Sequence, residues 1–397
     1  MQIGWQLPVP MSRDTLALFP DLVDRAPVQH TTGLLPSQKL EELISAGYVS
    51  ASPPILPDQV QPSSIDLRFG PVAYRLPASF LPGKNSTVCQ KLTELAVQEI
   101  DLAAGALFET NSVYLVPLSE EVHLPESISG RANPKSTTGR LDIFTRLLTD
   151  YGTAFENVPA GYKGKLYAEV VPLTFPVIVR EGTRLNQLRL RRGDPPASDA
   201  MLWRLHEKHP IVYLADASPA EPVISDGGIM LGVDLAGTDD SGIIGYKARK
   251  QTAPIDLSKV GFYEVLDYWE PLYANPARRV MLDPGDFYIL VSKQKLTIPL
   301  DTAAEMVPFD SSVGEFRIHY AGFFDPGFGW ASNDGKGAHA VLEVRCHDVR
   351  SLLEDGQIVC RLVYEQLLAP PEKIYGLTIG SSYQSQRLAL SKQFKNR

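Results

Sequence analysis

The feature that most constrains the fold of this chain is an internal duplication. Four landmarks of the first half return in the same order in the second half of the 397 residues. From an aspartate to a glutamate, the separation is 169 − 66 = 103 positions in the first half and 343 − 234 = 109 in the second. The matched segments are residues 64–67 with 232–235, 102–108 with 282–288, 121–125 with 295–299, and 161–169 with 327–343. This repetition predicts two tandem copies of one fold, in residues 1–200 and 201–397.

Short strands are predicted in both copies. Strand-forming segments such as 113–116, 165–171 and 175–179 are each bounded by proline or glycine, and the chain holds 32 prolines and 30 glycines. These features favour an all-β fold, a sandwich or barrel, with a few short helices. Helices are predicted to begin near residue 37 and end at Gly47, and to span 88–100. The first thirty residues are predicted to be irregular, and the polar stretch 191–199 to link the copies.

Composition excludes several classes of protein. The formal net charge of −8 argues against nonspecific binding to nucleic acid, which needs a basic surface. Three widely spaced cysteines indicate a reducing compartment and no disulfide framework. We find no window long and apolar enough to span a membrane, and no basic leader followed by an apolar run. We therefore expect a cytoplasmic protein with no membrane partner.

A turn signal and a carboxylate stand out in the second copy. Asp325-Pro326-Gly327 has proline to preset φ and glycine to accept a positive φ, so a β-hairpin is predicted there. The returning strand carries Glu343 among apolar neighbours at 341, 342 and 344. Desolvation would raise the pKa of Glu343 toward the range useful for proton transfer. A solvent-facing glutamate on an alternating strand is the other interpretation of this window.

A second polar segment lies in the first copy, Lys135-Ser136-Thr137-Thr138-Gly139-Arg140. Hydroxyls and backbone N–H groups in a tight turn can donate to phosphate oxygens, and Arg140 adds a bidentate donor of permanent charge. The alternative is a polar turn with a surface arginine. At the matching place of the second copy, 310–315, acids replace the cations, so that copy is expected to have lost phosphate binding.

Taken in order, these segments resemble the dCTP deaminase family in its duplicated, two-domain type. The resemblance rests on Ser-Ile-Asp-Leu-Arg-x-Gly at 64–70, the Ser/Thr pair and arginine at 136–140, Ala-Gly-x-x-Asp-Pro-Gly-Phe at 321–328, and Val-Leu-Glu at 341–343. It implies membership of the trimeric dUTPase-like superfamily and two tandem dUTPase-like domains, each a distorted β-barrel or jelly roll.

The resemblance also implies which residues bind the substrate. Lys135, Ser136 and Thr137 would hold the phosphates, and the nucleoside and the closing tail would involve Ala321, Asp325, Phe328, Tyr375 and Gln386. The first copy has no aspartate at the matching turn, 157–162, and Ser382 stands where the family usually has a lysine. Because the two copies lose different parts, we expect composite sites, with phosphate contacts from a first copy and the nucleoside turn from a second, in the same chain or in adjacent chains.

The implied reaction is deamination of dCTP to dUTP without zinc. Glu343 is the candidate general base, with Arg140 beside it and Glu169 in reserve, since Glu169 occupies the matching strand position in the first copy. The zinc deaminase motifs, H-x-E and P-C-x-x-C, do not occur, and His319 and His347 are weak candidates for metal ligands. Mg²⁺ would arrive bound to the triphosphate.

Two other functions stay open at this point. The chain could cleave dUTP, alone or after deaminating dCTP, or it could be a non-catalytic nucleotide-binding regulator. The resemblance further implies dCTP and dUTP as ligands, dTTP as an inhibitor, and a homo-oligomer, a trimer or a multiple of one. We expect no nucleic-acid partner.

Overall fold

The computed structural model describes residues 30–194, 198–237, 241–308, 316–318, 322–330, 335–346, 348–376 and 388–395. In that part, the chain is mostly β with few short helices, as predicted. The expected N-terminal arm, the middle of the linker and residues 310–315 lie outside the described residues. No helix in the described part has the length and apolar character needed to cross a bilayer.

The two halves contain similar, though not identical, series of elements. Those of the first half are β1 Gly33–Leu34, α1 Ser37–Ser45, β2 Val49–Ala51, a 3₁₀ turn Pro57–Gln59, β3 Ile65–Leu67, β4 Val72–Leu76, α2 Val88–Leu95, β5 Gln98–Asp101, β6 Ala106–Phe108, β7 Val113–His123, β8 Ile128–Pro134, α3 Ser136–Gly139, β9 Ile143–Thr149, β10 Asn157–Val158, β11 Lys163–Pro172, β12 Val177–Val179 and β13 Asn186–Arg192.

The elements of the second half are α4 Asp199–Lys208, β14 Val212–Tyr213, β15 Ile224–Ser225, β16 Gly228–Gly232, β17 Ile243–Ala248, β18 Ile255–Asp256, α5 Val265–Tyr268, β19 Trp269–Tyr273, β20 Arg279–Leu282, β21 Phe287–Leu296, β22 Thr302–Pro308, β23 Phe316–Ile318, β24 Phe323–Phe324, β25 Ala338–Cys346, β26 Ser351–Glu354 and β27 Ile358–Gln366.

Two larger sheets enclose a core in each half. In the first half these sheets have the orders β1-β13-β8-β10 and β5-β4-β7-β11-β9. In the second half the orders are β19-β17-β21-β25-β23 and β15-β16-β27-β22-β24. In β7 and β8, buried residues largely alternate with more exposed ones, as in strands with one face on a core, whereas β13 and β21 contain continuous runs of buried residues.

The helices are short and their ends have identifiable causes. Helix α1 runs over Ser37–Ser45 and ends before Gly47, whose φ of 77° is the left-handed conformation that glycine adopts at low cost. The prediction of a helix over 88–100 was too long. Helix α2 ends at Leu95, because residues 98–101 pair with β4 and extend its sheet.

The strand register supports the duplication and measures it. Glu169 lies opposite Leu115, and Glu343 lies opposite Ile289, so that both residues recur 174 positions later (343 − 169 = 289 − 115 = 174). The bounds of β8 and β22 differ by the same 174 positions. The matches of 121–125 with 295–299, and of Glu169 with Glu343, agree with this spacing.

Two of the predicted matches are wrong in register. Asp66 lies opposite Gln187, and the residue 174 positions after Gln187 is Arg361. Arg361 lies opposite Met230, so Met230 and not Asp234 corresponds to Asp66. Asp234 instead donates its N–H to Val291, as Gly70 does to Pro117.

The second wrong match concerns residues 102–108. Phe108 pairs with Val177, and Leu282 pairs with Ser351, so Phe108 corresponds to Leu282 and not to Tyr288. Short identities such as Asp-Leu misaligned the copies, because the segment between β3 and β6 is about ten residues shorter than its counterpart.

Backbone pairing and ion pairs join the two halves. Strand β12 of the first half pairs in parallel with β18 of the second. Next to this pair, Arg180 donates to both carboxylate oxygens of Asp256, at 2.6 and 2.9 Å. The first core also takes side chains from the second half: Phe175 has ring contacts with Tyr268 and Trp269, at centroid distances of 5.9 and 5.3 Å.

One buried arginine joins the first half to the turn predicted as a nucleoside site. The side chain of Arg189, on β13, is 1% exposed. Its guanidinium donates to the carbonyls of Ala304 and Phe324, at 2.9 Å each, and lies 3.9 Å from the ring centre of Phe323. The contacts fix β22 and β24 of the second half against the first-half sheet.

We expect Arg189→Leu to lower the free energy of unfolding by about 3 kcal/mol, because two buried carbonyls lose their donor. Urea unfolding measures the loss. Arg192→Leu, at the exposed end of the same strand, is the matched control and should change stability by less than about 0.5 kcal/mol. Equal effects of the two variants would show that Arg189 does not join the halves as described.

Candidate active site

The predicted phosphate motif forms a short helix that presents three side chains outward. Helix α3, Ser136–Gly139, follows β8, and Arg140 donates its N–H to the carbonyl of Ser136 at 3.2 Å. Thr138 is buried and donates its hydroxyl to the carbonyl of Leu185 at 2.9 Å, which holds the helix on the sheet. Lys135, Ser136 and Thr137 are half-buried, and Lys135 forms an ion pair with Asp66.

Glu343 of the second half lies directly against this helix. A β-carbon added to Gly139 would lie 2.7 Å from Cδ of Glu343 and closer still to one of its oxygens. The absence of a side chain at residue 139 therefore lets the carboxylate reach the helix backbone. The positive charge of Arg140 and the negative charge of Asp142 both act on the pKa of Glu343. One chain thus brings together Glu343 and the segment that contains Arg140.

Burial controls the protonation of Glu343. The residue is 8% exposed, and desolvation raises the pKa of its carboxyl from 4.5 to about 8, with Arg140 lowering it and Asp142 raising it. The expected upward shift is confirmed, and the solvent-facing alternative is wrong. A carboxyl of this pKa can both accept and release a proton near neutral pH.

An ion pair between Arg345 and Asp142 holds the strand of Glu343 in place. Arg345 lies two residues after Glu343, on the same face of β25, and pairs with Asp142, two residues after Arg140. Thr174 donates its hydroxyl to Asp142 at 2.5 Å and accepts from Arg345 at 2.9 Å. The carboxylate of Asp142 is fully buried, so this pair fixes the distance between the strand and the phosphate motif.

The Asp-Pro-Gly segment is a connection between sheets, which corrects the predicted hairpin. Strand β24, before the turn, pairs with β22, whereas the following strand β25 pairs with β21 and β23 of the other sheet. Gly327 takes a φ of 95°, as the turn prediction requires. Because β24 pairs with β22 and not with β25, the chain crosses here from one sheet to the other and does not form a hairpin.

Asp325 in this turn contacts the first half. Its Oδ1 accepts from the hydroxyl of Ser63 at 2.7 Å and lies 3.5 Å from Nη2 of Arg189. Its charge contributes to the raised pKa of Asp66, after the larger effect of burial. Asp66 forms an ion pair with Lys135, so Asp325 belongs to the same charged cluster as the phosphate motif.

The aromatic residues of the predicted nucleoside site also come together. The ring of Phe328 lies 5.0 Å from that of Phe324 and 6.1 Å from that of Tyr375, between centroids. Tyr375 donates its N–H to the carbonyl of Pro326 at 3.1 Å, which holds the start of the tail against the turn. Ala321 and Gln386, the remaining predicted contacts, lie outside the described residues.

The C-terminal segment 388–395 returns to the phosphate motif. Arg140 donates to the carbonyl of Ala389 at 2.9 Å, and the hydroxyl of Ser391 donates to the carbonyl of Thr137 at 2.9 Å. Phe394, 2% exposed, packs into the first core and fixes the segment there. The tail of the second half is therefore part of the wall around a first-half motif.

Glu169, the reserve candidate, has a different environment. It is 1% exposed and pairs with Arg146 at 2.5 Å, while its Oε2 has no hydrogen-bond partner in the described part of the chain. The guanidinium of Arg146 lies 3.6 Å from the ring centre of Phe155. The structure places Glu169 with a cation of its own half, and not with the segment 135–140.

Sequence reasoning missed a cavity of about 390 Å³ beside the phosphate motif. Its charged wall residues are Asp66, Lys135, Arg180, Glu181, Arg184 and Lys392. Of these residues, only Asp66 lies in a segment that the sequence analysis had singled out, Ser-Ile-Asp-Leu at 64–67, apart from Lys135 of the phosphate motif. The two cations at residues 184 and 392 carried no signal, because only the folded chain brings them to Lys135.

Comparison with known proteins identifies two consecutive domains. A family model of the 2′-deoxycytidine 5′-triphosphate deaminase N-terminal domain matches residues 31–194, and one of the C-terminal domain matches residues 198–394. The crystal structure of 2′-deoxycytidine 5′-triphosphate deaminase from Agrobacterium tumefaciens is similar, with a TM-score of 0.83 and 48% sequence identity. That match covers 88% of this chain and 100% of the other.

Two curated relatives match a shorter stretch. A dCTP deaminase of Natronomonas pharaonis is 30% identical over 126 residues, which are 31% of this chain and 60% of that protein. A protein of Halobacterium salinarum named dCTP deaminase, dUMP-forming, is 30% identical over 127 residues, again 31% and 60% of the two chains. The chain thus spans 60% of the length of each of these relatives.

The raised pKa of Glu343 predicts how stability depends on pH. Between 4.5 and about 8, the folded protein holds a proton on Glu343 that the unfolded chain has released. Relative to Glu343→Gln, the unaltered protein should therefore lose up to about 1.4 kcal/mol of stability for each pH unit gained in this window. Urea unfolding of both proteins at several pH values measures the difference.

Asp142→Asn provides the control for this measurement. Without the negative charge at residue 142, the pKa of Glu343 should fall, and the loss of stability should stop at a lower pH. Curves that run parallel for the unaltered protein and Glu343→Gln would contradict the buried, protonated carboxyl.

Proposed function

Since this chain belongs to the 2′-deoxycytidine 5′-triphosphate deaminase family, we propose that it converts dCTP and water to dUTP and ammonia. The observation that carries the proposal is the contact of Glu343 with Gly139, which puts a carboxyl of raised pKa beside Arg140 and the phosphate motif of the same chain. A base and a triphosphate site are the two parts that this reaction needs.

We assign Glu343 the proton transfers. In its ionised form it takes one proton from water while the oxygen adds to carbon 4 of cytosine, and this proton passes to ring nitrogen 3. The second proton of the water then moves through Glu343 to the amino group, the bond between carbon 4 and nitrogen breaks, and ammonia leaves. The raised pKa makes the carboxylate a stronger base and its acid form a usable proton donor.

The neighbouring charges adjust how much of Glu343 is ionised. Arg140 lowers the pKa of Glu343, which increases the fraction of base present at neutral pH. We propose that Lys135, Ser136 and Thr137 contact the phosphates, that Asp325 and Phe328 receive the nucleoside, and that Tyr375 with Ala321 and Gln386 completes the pocket. Mg²⁺ belongs to the substrate here, since triphosphate oxygens bind it.

We also propose that the halves divided near residue 200 are two dUTPase-like barrels or jelly rolls, and the shift of 174 positions from β7 and β11 to β21 and β25 supports two copies of one fold. Glu169, the matching acid of the first half, is paired with Arg146. Because its charge is already neutralised there, Glu343 is favoured as the base. Assembly as a trimer or a multiple of one, inhibition by dTTP and a cytoplasmic location are parts of the same proposal.

A second function has one specific observation in its favour. The Halobacterium relative is named dUMP-forming, so cleavage of the phosphate chain is the alternative activity to test in this chain. Pyrophosphate separates the two functions, because deamination alone releases none.

We expect Glu343→Gln to bind dCTP with little change and to release ammonia at least about 100-fold more slowly, because amide nitrogen cannot accept the proton from water. Glu169→Gln should keep turnover. Glu354→Gln, an exposed glutamate on β26, is the surface control. Ammonia release by Glu343→Gln at the rate of the unaltered protein would remove Glu343 from the mechanism.

Incubation with dCTP, CTP and dUTP, following ammonia and pyrophosphate separately, tests the reaction itself. Ammonia from dCTP with no pyrophosphate from any of the three is the expected result. Pyrophosphate from dUTP or dCTP would support the dUMP-forming alternative, and binding of dCTP without ammonia would support a regulator.

A further inference from the structure

Two residues after Arg140, the first half buries a carboxylate at Asp142. The side chain of Asp142 is 0% exposed. Its backbone has a φ of 55°, a left-handed conformation that aspartate and asparagine adopt more readily than most other residues. Asp142 donates its N–H to the carbonyl of Gly139 at 2.9 Å, and its own carbonyl accepts from the N–H of Leu173 at 2.9 Å. The backbone therefore fixes Asp142 relative to Gly139, the residue against which the carboxyl of Glu343 lies.

Arg345 of the second half compensates this buried charge. Its guanidinium forms the ion pair with Asp142 and donates to the hydroxyl of Thr174 at 2.9 Å and to the carbonyl of Gly285 at 2.8 Å. Thr174 in turn donates to the carboxylate of Asp142 at 2.5 Å. Because three acceptors hold one guanidinium, the two opposite charges keep a single arrangement across the boundary between the halves.

The pair lies beside Glu343. Arg345 is two positions after Glu343 on β25, so that the two side chains are on one face of the strand and about 7 Å apart along it. From the first half, Arg140 and Asp142 are the two groups whose charges act on the carboxyl of Glu343. Glu343 is therefore surrounded by one carboxylate and two guanidinium groups.

The neighbouring strands complete the surroundings of Glu343. On β21, the residue opposite Glu343 is Ile289, which carries no charge. On β23, Arg317 lies opposite Arg345 in the strand register. The negative charge on the first-half side of Glu343 thus comes from Asp142, and Arg345 is the cation paired with it.

The charges of the pair have opposite effects on Glu343. Asp142 raises the pKa of the Glu343 carboxyl, whereas Arg140 lowers it. Charges in a buried site are screened much less than charges at the surface. Loss of Arg345 would leave an uncompensated negative charge beside Glu343, and loss of Asp142 would leave an uncompensated positive one. The two losses should therefore change the ionisation of Glu343 in opposite directions.

We propose that Asp142 and Arg345 are positioning residues, whose balanced charges set the pH range in which Glu343 accepts a proton. The inference rests on the proposed function for the reaction that uses this proton. It deepens that function by assigning control of the acid–base behaviour of the site to a buried ion pair between the two halves.

A purely structural ion pair would behave differently. Breaking such a pair would lower stability, and it would lower the rate by the same factor at every pH. A pair that sets the ionisation of Glu343 instead moves the midpoint of the pH profile, because the fraction of Glu343 in its basic form changes. The pH profile therefore separates the two roles.

The first measurement is kcat/KM for dCTP as a function of pH, whose rising limb reports the base of the free enzyme. We expect Arg345→Gln to move the midpoint of this limb upward by about one pH unit, and Asp142→Asn to move it downward by about one unit. With both substitutions in one chain, the midpoint should return toward that of the unaltered protein. Arg345→Lys, which keeps the charge, should leave the midpoint in place.

Arg191→Gln is the matched control. Arg191, on β13, lies 3.7 Å from Glu365 of the second half, and both side chains are 24% exposed. This variant also removes a cation from an ion pair between the halves, but it does so outside the site. Its midpoint should equal that of the unaltered protein.

The second measurement observes Glu343 directly. In protein labelled with carboxyl-¹³C glutamate, the resonance of Glu343 is assigned by its absence in Glu343→Gln and followed through a pH titration. Its midpoint should move in the same directions as the midpoint of the rate. If Arg345→Gln does not fold, Asp142→Asn and the double variant decide, since asparagine accepts a positive φ and the double variant holds no uncompensated charge. Equal midpoints in Asp142→Asn and Arg191→Gln, or shifts of one sign in both Asp142→Asn and Arg345→Gln, would overturn the proposal.

The two proposals can fail separately. A titration of Glu343 that moves with the pair, in a protein that releases no ammonia from dCTP, would leave this inference standing and end the proposed function. Release of ammonia from dCTP with one midpoint in all these variants would do the reverse.

Discussion

The structure of the site depends on the contact between the Glu343 carboxyl and the backbone of Gly139. These residues belong to different halves, and a side chain at residue 139 would occupy the place of the carboxyl. The ion pair of Arg345 with Asp142 lies on the same strand face and holds the two segments at this distance. Burial by both halves then raises the pKa of Glu343. Neither half alone could provide this environment.

Duplication explains why a single chain can divide the site in this way. Strands β7 and β11 have the same register as β21 and β25, shifted by 174 positions, yet the two halves carry different polar groups. The first half has the phosphate motif and its cations, and the second half has Asp325, Phe328 and Glu343. The first-half acid Glu169 forms an ion pair with Arg146 of its own sheet. The arginine at residue 189 and the tail then hold the complementary parts together.

The sequence predicted the β class, the duplication and the burial of Glu343, because these depend on local patterns. Asp-Pro-Gly specifies a turn, and Glu343 among apolar residues specifies a buried carboxyl. The sequence failed where the answer depends on pairing. Asp234 was matched to Asp66 from a short identity, although the strand register shows that Met230 corresponds to Asp66. A hairpin was predicted at Asp325, although β24 has its partner in another sheet.

The cavity could not have been predicted for the same reason. Lys135, Arg184 and Lys392 are far apart in the chain, and only the return of the C-terminal segment to helix α3 places them together. Arg345 likewise has no signature of its own. Its role follows from lying two residues after Glu343 on one strand face, opposite a carboxylate that the fold brings there.

The most direct test of the account is whether Arg140 and Glu343 act within one chain. Chains with Arg140→Gln and chains with Glu343→Gln can be coexpressed with different tags, purified together through both tags or mixed in equal amounts, and assayed for ammonia release from dCTP. A site built within one chain predicts no activity above that of the single variants, because every chain then lacks one of the two residues. Recovery of activity in the mixture would contradict the account, since it would require Arg140 and Glu343 to come from different chains.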